Sequence, residues 1–239
     1  MSIIGISGRI GSGKNTIGDI IQMICLTNEG PTFEQKSFAG KLKQIASLLT
    51  GFPVESFEDQ EFKKVLLGAE WGTVSVNPLN AIPVFGDVQF LHMMSVRELL
   101  QKLGTEAMRN GLHEDVWVNA LFADYKEEIY RTPVHTRAAG FIDHYAYPNW
   151  IITDVRFPNE LEAVVERKGI TIRITRPVES YPENPNFNGD MQIAVKMAHS
   201  HPSETALDDA KFDYEIINDG EIVDLIEKVK QILITEKII

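Results

Sequence analysis

The sequence predicts a three-layer α/β domain, with a parallel sheet of about five strands and helices on both faces. A β-branched segment at the amino terminus runs into a glycine-rich turn and then into a helical pattern, which is the opening of a βαβ unit. Short apolar segments then alternate with amphipathic segments, an order typical of a mostly parallel sheet. The 239 residues, of which 44% are hydrophobic, suffice for one such domain with an insertion. We therefore predict a single domain over residues 1–239.

Five short segments are predicted to form the sheet, and all but the second are rich in β-branched or apolar residues. The first begins almost at the amino terminus and ends at the glycine-rich turn. The fourth alternates β-branched residues and stops before Pro177. In chain order, the predicted strands cover residues 2–7, 32–38, 150–153, 170–175 and 214–217.

Amphipathic patterns place helices between these strands. The first helix shows four isoleucines at the spacing of one helix face, from Ile17 to Ile24. Ser95 and Glu98 form a capping-box signature ahead of a leucine stripe. The predicted helices cover residues 17–24, 41–49, 96–103, 115–129 and 222–233, and a further helix that contains residues 161–165 is predicted to close at Gly169.

Two segments fit neither pattern. Residues 51–90 hold three prolines and several glycines, with candidate short strands at 73–76 and 82–85, and we predict an insertion outside the central sheet. Residues 131–149 mix proline, glycine, histidine and arginine without a clear period. We predict that this second segment is a lid or a loop.

Composition excludes several classes of protein. The net charge of −11 argues against a broad electrostatic footprint on nucleic acid, so we expect no nucleic-acid polymer as a partner. No run approaches the roughly 18 apolar residues of a membrane span, and the amino terminus lacks the basic flank of a signal peptide. The single cysteine, Cys25, allows no intrachain disulfide, which favours a reducing cytosol. We also expect no structural zinc site, because the histidines show no zinc-ligand spacing.

The segment from Gly8 to Lys14 points to a chemistry. Its residues fit the pattern G-x-x-x-x-G-K between a predicted strand and a predicted helix. The glycines let backbone N–H groups point at a phosphate, and the helix amino terminus adds the positive end of its dipole. The lysine then reaches the β- and γ-phosphates as a point charge. We predict an ATP site, with Lys14 also catalytic, formed by Gly8, Arg9, Gly11, Ser12, Gly13, Lys14, Asn15 and Thr16.

Magnesium is expected together with ATP, because the negative net charge favours a nucleotide whose charge is already partly neutralised. The position after the lysine usually carries a hydroxyl, but here Asn15 occupies it and Thr16 follows. The form G-K-x-T is common in nucleoside monophosphate kinases. We expect the Thr16 hydroxyl to face magnesium, with water in the shell. A first-turn hydroxyl that bonds the backbone is the alternative.

Asp154 follows a predicted strand and should lie at the carboxyl edge of the sheet, where doubly wound folds bind their ligands. A carboxylate there can hold Mg²⁺ through water or accept the proton of the acceptor. Arg156, two residues later, could clamp a phosphate. The alternative is an ordinary turn at a strand end with a surface ion pair.

Arg97, Gln101 and Thr105 recur at i, i+4 and i+8 and form a polar stripe opposite the leucines of their predicted helix. Arginine can bind phosphate with two hydrogen bonds, and glutamine can read a base edge. A solvated helix face would show the same spacing, and both interpretations stay open on spacing alone.

With these motifs, the sequence resembles the phage deoxynucleoside monophosphate kinases, a branch of the P-loop kinases. The resemblance covers both ends and the middle of the chain, but not the two irregular segments. The segments similar to that family are Gly8–Thr16, Ser37–Lys43, Ser95–Thr105, Asp154–Arg156, His201–Glu204 and Asn218–Gly220.

The resemblance implies a P-loop kinase that moves the γ-phosphoryl group of ATP onto a deoxynucleoside monophosphate, in the host cytoplasm if the protein is a phage protein. Such kinases cover the transferring group with mobile arginines, for which Arg131 and Arg137 are candidates. A plain solvated loop is the alternative. The acceptor site that the resemblance implies comprises Lys43, Arg97, Gln101, Thr105, Arg156 and Glu204.

Two other functions stay open. Kinases of other small acceptors, such as dephospho-coenzyme A or phosphomevalonate, share this style of phosphate loop. A nucleotide-gated binding module that hydrolyses ATP slowly would share it as well. The preferred base, the choice between deoxyribose and ribose, and the oligomeric state, a homodimer included, also stay open.

Overall fold

A computed structural model of the protein describes residues 2–75, 81–84, 89–133, 141–177 and 205–239. The chain divides into two compact units. The first unit comprises Met1–Phe38 and Leu121–Ile239, and the second comprises Ala39–Ala120.

The described residues form strands and helices in the alternating order that the sequence predicts. In chain order, the strands are β1 (Ile3–Ser7), β2 (Phe33–Lys36), β3 (Thr73–Ser75), β4 (Ala81–Val84), β5 (Gln89–His92), β6 (Glu128–Pro133), β7 (Phe141–Ala146), β8 (Asn149–Val155), β9 (Ile170–Thr175) and β10 (Tyr214–Ile217). The α-helices are α1 (Lys14–Thr27), α2 (Ala39–Thr50), α3 (Val96–Gln101), α4 (Val116–Phe122), α5 (Pro158–Glu166) and α6 (Ile222–Thr235). Within the described part of the chain, no helix combines the length and apolar character needed to cross a membrane.

The first unit is built on a five-stranded sheet with the order β10-β9-β1-β8-β2. Every neighbouring pair in this sheet is parallel. The five strands are those that the sequence predicts, within a few residues at each end, and the predicted three-layer architecture is confirmed. The carboxyl ends of parallel strands meet at one edge, and β1 leads there directly into α1 through residues 8–13.

Alternation along β1 explains why both faces of the sheet carry helices. Ile4 and Ile6 belong to a buried cluster with α1 and α6, whose contributions include Ile17, Ile21, Val229 and Leu233. Gly5 points to the other face, where a Cβ would lie 3.1 Å from Val164 of α5. A glycine between two isoleucines therefore lets α5 approach the centre of the sheet closely.

The second unit has its own core, formed by Ala46, Phe57, Leu67, Val96 and Leu99. Three 3₁₀ turns, Val54–Glu58, Phe62–Lys64 and Ala69–Trp71, follow α2. An antiparallel sheet of order β3-β5-β4 comes next, which agrees with the predicted short strands of the segment 51–90.

The structure corrects two local predictions. The helix predicted over 115–129 ends at Phe122, because the Phe122 and Tyr125 rings turn to pack against Trp150, with ring centroids 6.2 and 4.7 Å from it. The segment predicted as a lid or loop contains part of an antiparallel pair, β6 and β7, in register from Glu128–Ala146 to Pro133–Phe141. Whether this hairpin acts as a lid stays a prediction.

Candidate active site

The predicted phosphate loop occupies residues 8–13, between the carboxyl end of β1 and the start of α1. Gly8 lies against β9, because a Cβ there would lie 2.4 Å from the backbone oxygen of Ile174. Gly13 has φ 107°, a left-handed conformation that side chains disfavour, immediately before the first residue of α1. Both glycines are therefore required by the backbone path that the loop follows.

The loop is fixed by a contact with the end of β10. Asn218 donates from Nδ2 to the backbone oxygen of Ser12 at 2.9 Å. Ser12 itself is only 2% exposed, and its hydroxyl has no hydrogen-bond partner among the described residues. A buried hydroxyl without a partner is uncommon in proteins, and in this loop it is a group that a phosphate oxygen could satisfy.

Lys14 is the first residue of α1, whose first turn contains no acidic residue. Its ammonium group donates to the backbone oxygens of Gly8 at 2.7 Å and Arg9 at 2.9 Å, so the side chain folds back over the loop. The helix amino terminus and the lysine thus place positive charge on the same short segment, as a phosphate site requires.

The neighbouring residues Asn15 and Thr16 lie in the first turn of α1, where Asn15 is exposed and Thr16 is half-buried. Asp154 lies in β8, one residue before its end, and its Oδ1 accepts the Phe38 N–H at 2.7 Å. The carboxylate therefore also orients the backbone that follows β2. This second role was not apparent from the sequence, because Phe38 is 116 residues away.

The Thr16 hydroxyl and the Asp154 carboxylate suit Mg²⁺ better than a metal whose ligands all come from protein side chains. No cluster of three His, Cys, Asp or Glu side chains that could hold a metal occurs in the described part of the chain. Mg²⁺ usually retains several waters and binds through one or two carboxylates plus substrate phosphates. The Asp154 carboxylate and the Thr16 hydroxyl are donors of that kind.

Arg156 follows β8 directly, and a buried carboxylate that the sequence analysis missed holds its backbone. Glu160, which is 3% exposed, accepts the N–H groups of Arg156 at 2.8 Å and Phe157 at 3.2 Å through Oε2. A glutamate at the third position of a helix that starts with Pro158 is a capping signal, and it could have been recognised.

Replacing Glu160 by glutamine should lower the free energy of unfolding by about 1–3 kcal/mol, because two part-buried N–H groups would lose a charged acceptor. Urea unfolding measures this effect. Glu162→Gln is the matched control, since Glu162 is exposed on the same helix. Equal stability of the two variants would show that Glu160 does not hold this turn.

The structure brings the phosphate loop and Arg156 together around one small cavity of about 20 Å³. Ser7, Gly8 and Arg9 line it from the β1 side, and Val155 and Arg156 line it from β8. Arg173, Leu207 and Asp208 complete the lining, and none of these three was predicted as a site residue.

Two of the predicted acceptor residues of the second unit, Lys43 and Arg97, make polar contacts. Lys43 pairs with Glu58 at 2.6 Å, and its side chain is only 14% exposed, unlike an ordinary surface lysine. Arg97 donates from Nη2 to Gln60 at 3.2 Å. Gln101 is exposed, whereas Thr105 is half-buried.

The polar stripe of Arg97, Gln101 and Thr105 was predicted for one regular α-helix, but these residues do not lie in a single α-helix. α3 ends at Gln101, and the chain continues in π-helical turns over Lys102–Asn110. Gly104 packs there against Leu42, where a Cβ would lie 2.9 Å from Leu42 Cδ2. A π-helix turns less per residue than an α-helix, so Thr105 does not continue the line of Arg97 and Gln101 by α-helical spacing.

Two predicted residues, Glu204 and Arg137, lie outside the described residues. Arg131 belongs to β6. The assignments of these three residues stay predictions.

The chain is similar to two named phage proteins over most of its length. It is 23% identical over 251 residues to the deoxynucleoside-5'-monophosphate kinase of Escherichia phage T5, covering 90% of this chain and 89% of the relative. It is 25% identical over 270 residues to the deoxynucleotide monophosphate kinase of Enterobacteria phage T4, covering 98% of this chain and 99% of the relative. No protein-family model matches the chain. The resemblance that the sequence motifs suggest is therefore confirmed by full-length similarity.

Proposed function

We propose that this protein is an ATP-dependent kinase that converts a deoxynucleoside monophosphate to the diphosphate. The observation that carries this proposal is the phosphate loop, in which Gly13 leads into Lys14 at the start of α1 and Arg156 lies beside Gly8 and Arg9. The similarity to phage enzymes named as kinases of this substrate class supports the choice of acceptor.

In the proposed reaction, an oxygen of the acceptor's phosphate attacks the γ-phosphorus of ATP. The new oxygen–phosphorus bond forms as the bond to the β–γ bridging oxygen breaks, and ADP leaves. Lys14 exchanges its loop carbonyls for the β- and γ-phosphate oxygens, and Arg156 stabilises charge on the transferring group. The protein supplies positioning and charge, and it forms no covalent bond to the substrate.

Magnesium would be held by Asp154 and by the Thr16 hydroxyl, through water. Bound there, the ion would neutralise charge on the β- and γ-phosphates. Asp154 keeps one oxygen on the Phe38 N–H, which fixes the orientation of the carboxylate.

The residues proposed to contact the acceptor are those that the resemblance implies, namely Lys43, Arg97, Gln101, Thr105, Arg156 and Glu204. Lys43 and Arg97 each hold a polar partner, Glu58 and Gln60 respectively, which a phosphate oxygen could replace. Gln101 is exposed and carries both a donor and an acceptor, the combination that reads a base edge.

A panel of acceptors tests the proposal. With ATP and Mg²⁺, at least one deoxynucleoside monophosphate should be phosphorylated at least about tenfold faster than ATP is hydrolysed alone, because closure over the acceptor excludes water. Dephospho-coenzyme A and phosphomevalonate belong in the same panel. Equal loss of ATP with and without every acceptor would support the binding module instead, and turnover of only one of the latter two compounds would reassign the substrate.

A further inference from the structure

Two arginines beside the phosphate loop share a single carboxylate. Asp208 accepts a hydrogen bond from Arg9 on Oδ2 and from Arg173 on Oδ1, each at 2.9 Å. Parallel pairing of β1 with β9 places Ser7 opposite Arg173, so both arginines lie at the level where the loop begins. The sequence offered no sign of this arrangement, because the three residues lie far apart in the chain.

Arg173 is held rigidly in this position. Its side chain is only 16% exposed, and its Nη1 donates to the backbone oxygens of Leu207 and Asp208. The guanidinium also lies 5.5 Å from the centroid of the Phe212 ring. A largely buried and preorganised guanidinium favours an anion more than a flexible surface arginine does.

The charges around the adjoining cavity are unbalanced. Among the described residues that line it, Arg9, Arg156 and Arg173 are cationic and Asp208 is the one acidic residue. This excess of positive charge contrasts with the net charge of −11 for the whole chain. A carboxylate whose two oxygens meet different guanidinium groups makes the contacts that two oxygens of a phosphoryl group would make.

We propose that Arg9 of the phosphate loop and the neighbouring Arg173 form an anion subsite that takes a terminal phosphoryl group, and that Asp208 occupies this subsite until that group binds. The inference rests on the proposed function, because the phosphoryl group belongs to a bound nucleotide. The cavity of about 20 Å³ holds no more than about one water molecule, so Asp208 must leave before a phosphoryl group enters. The group comes either from the γ-position of ATP or from the acceptor monophosphate.

Binding measured by calorimetry without turnover tests this subsite. Asp208→Asn should tighten binding of the ligand whose phosphoryl group enters the subsite by about two- to fivefold, because the partly exposed Asp208 carboxylate no longer competes for the two arginines. The ligands are ATP with Mg²⁺, ADP with Mg²⁺ and the preferred deoxynucleoside monophosphate, each alone. Asp209→Asn is the matched control, because it removes the same charge from the next, exposed position.

If Asp208→Asn binds ATP or the monophosphate more tightly but not ADP, the result supports the subsite. The ligand that gains affinity identifies which phosphoryl group binds there. A gain for ATP assigns the γ-phosphate, and a gain for the monophosphate assigns the acceptor. A structural ion pair predicts the opposite sign, since loosening the segment that carries Asp208 would weaken binding. The proposal would be overturned if Asp208→Asn bound every ligand equally well or more weakly than the unmodified protein. It would also be overturned if Asp208→Asn gained equally for all three ligands, or if Asp209→Asn showed the same gain.

Arg173→Gln should weaken the same ligand about tenfold, as expected for loss of a charged hydrogen bond. Urea unfolding checks that Arg173→Gln folds. If Arg173→Gln does not fold, the Asp208→Asn measurement alone tests the subsite. Failure of the subsite with normal phosphoryl transfer would leave the proposed function intact. Absence of nucleotide binding by the unmodified protein would overturn both.

Discussion

Lys14→Met should lower turnover by about 10³-fold or more while the protein stays folded. The substitution removes a positive charge that meets the β- and γ-phosphates as negative charge redistributes in the transition state, an effect of several kcal/mol. The Lys14 ammonium donates to the Gly8 and Arg9 oxygens, and these loop carbonyls can be solvated after its loss. We therefore expect only a small change in stability.

The measurement is the rate of phosphoryl transfer at saturating ATP and acceptor, accompanied by urea unfolding. Lys230→Met is the matched control, because it removes an exposed lysine from α6 in the same unit. Its turnover should equal that of the unmodified protein. Near-normal turnover of Lys14→Met would remove Lys14 from the mechanism, and the phosphate loop would then no longer support a kinase.

The central sheet and the phosphate loop could be predicted because both depend on short-range patterns. The three inner strands of the sheet, β9, β1 and β8, are short segments rich in β-branched residues, and burial on both faces requires such apolar segments. The loop could be predicted from the fixed spacing of its motif, in which Gly13 is required locally by its left-handed conformation. Gly8 is required by a distant contact with Ile174, but the motif includes it without knowledge of that contact.

The features that escaped prediction depend on contacts between distant residues. Arg173 lies within a β-branched run and looks like an outward side chain of a strand, and its partner Asp208 lies 35 residues further along the chain. The helix predicted over 115–129 stops at Phe122 because Trp150, distant in sequence, packs with the aromatic rings there. The π-helical turns after Gln101 leave no signal in the apolar spacing used to predict the helix.

The acceptor site is the part of the proposal that most needs its own evidence, and Arg97 and Gln101 are its most specific residues. Both belong to α3, in the stretch from Ser95 to Thr105 that resembles the phage kinases. Arg97 contacts Gln60 and is half-buried, whereas Gln101 is exposed. This difference agrees with a phosphate contact for the first residue and a base or sugar contact for the second.

Arg97→Ala should raise the Michaelis constant for the acceptor about 10- to 100-fold, because the bound phosphate would lose a charged partner. Gln101→Ala should change the ratios of kcat/KM among the four bases by about tenfold, since a lost pair of hydrogen bonds alters discrimination between bases more than overall binding. A two-substrate kinetic matrix measures the Michaelis constants for ATP and for the acceptor, and the constant for ATP should change little in either variant.

Lys102→Ala is the matched control, because it removes a cation from the position next to Gln101. A shift of the ATP constant as large as that of the acceptor constant would assign this helix to the donor side or to the scaffold.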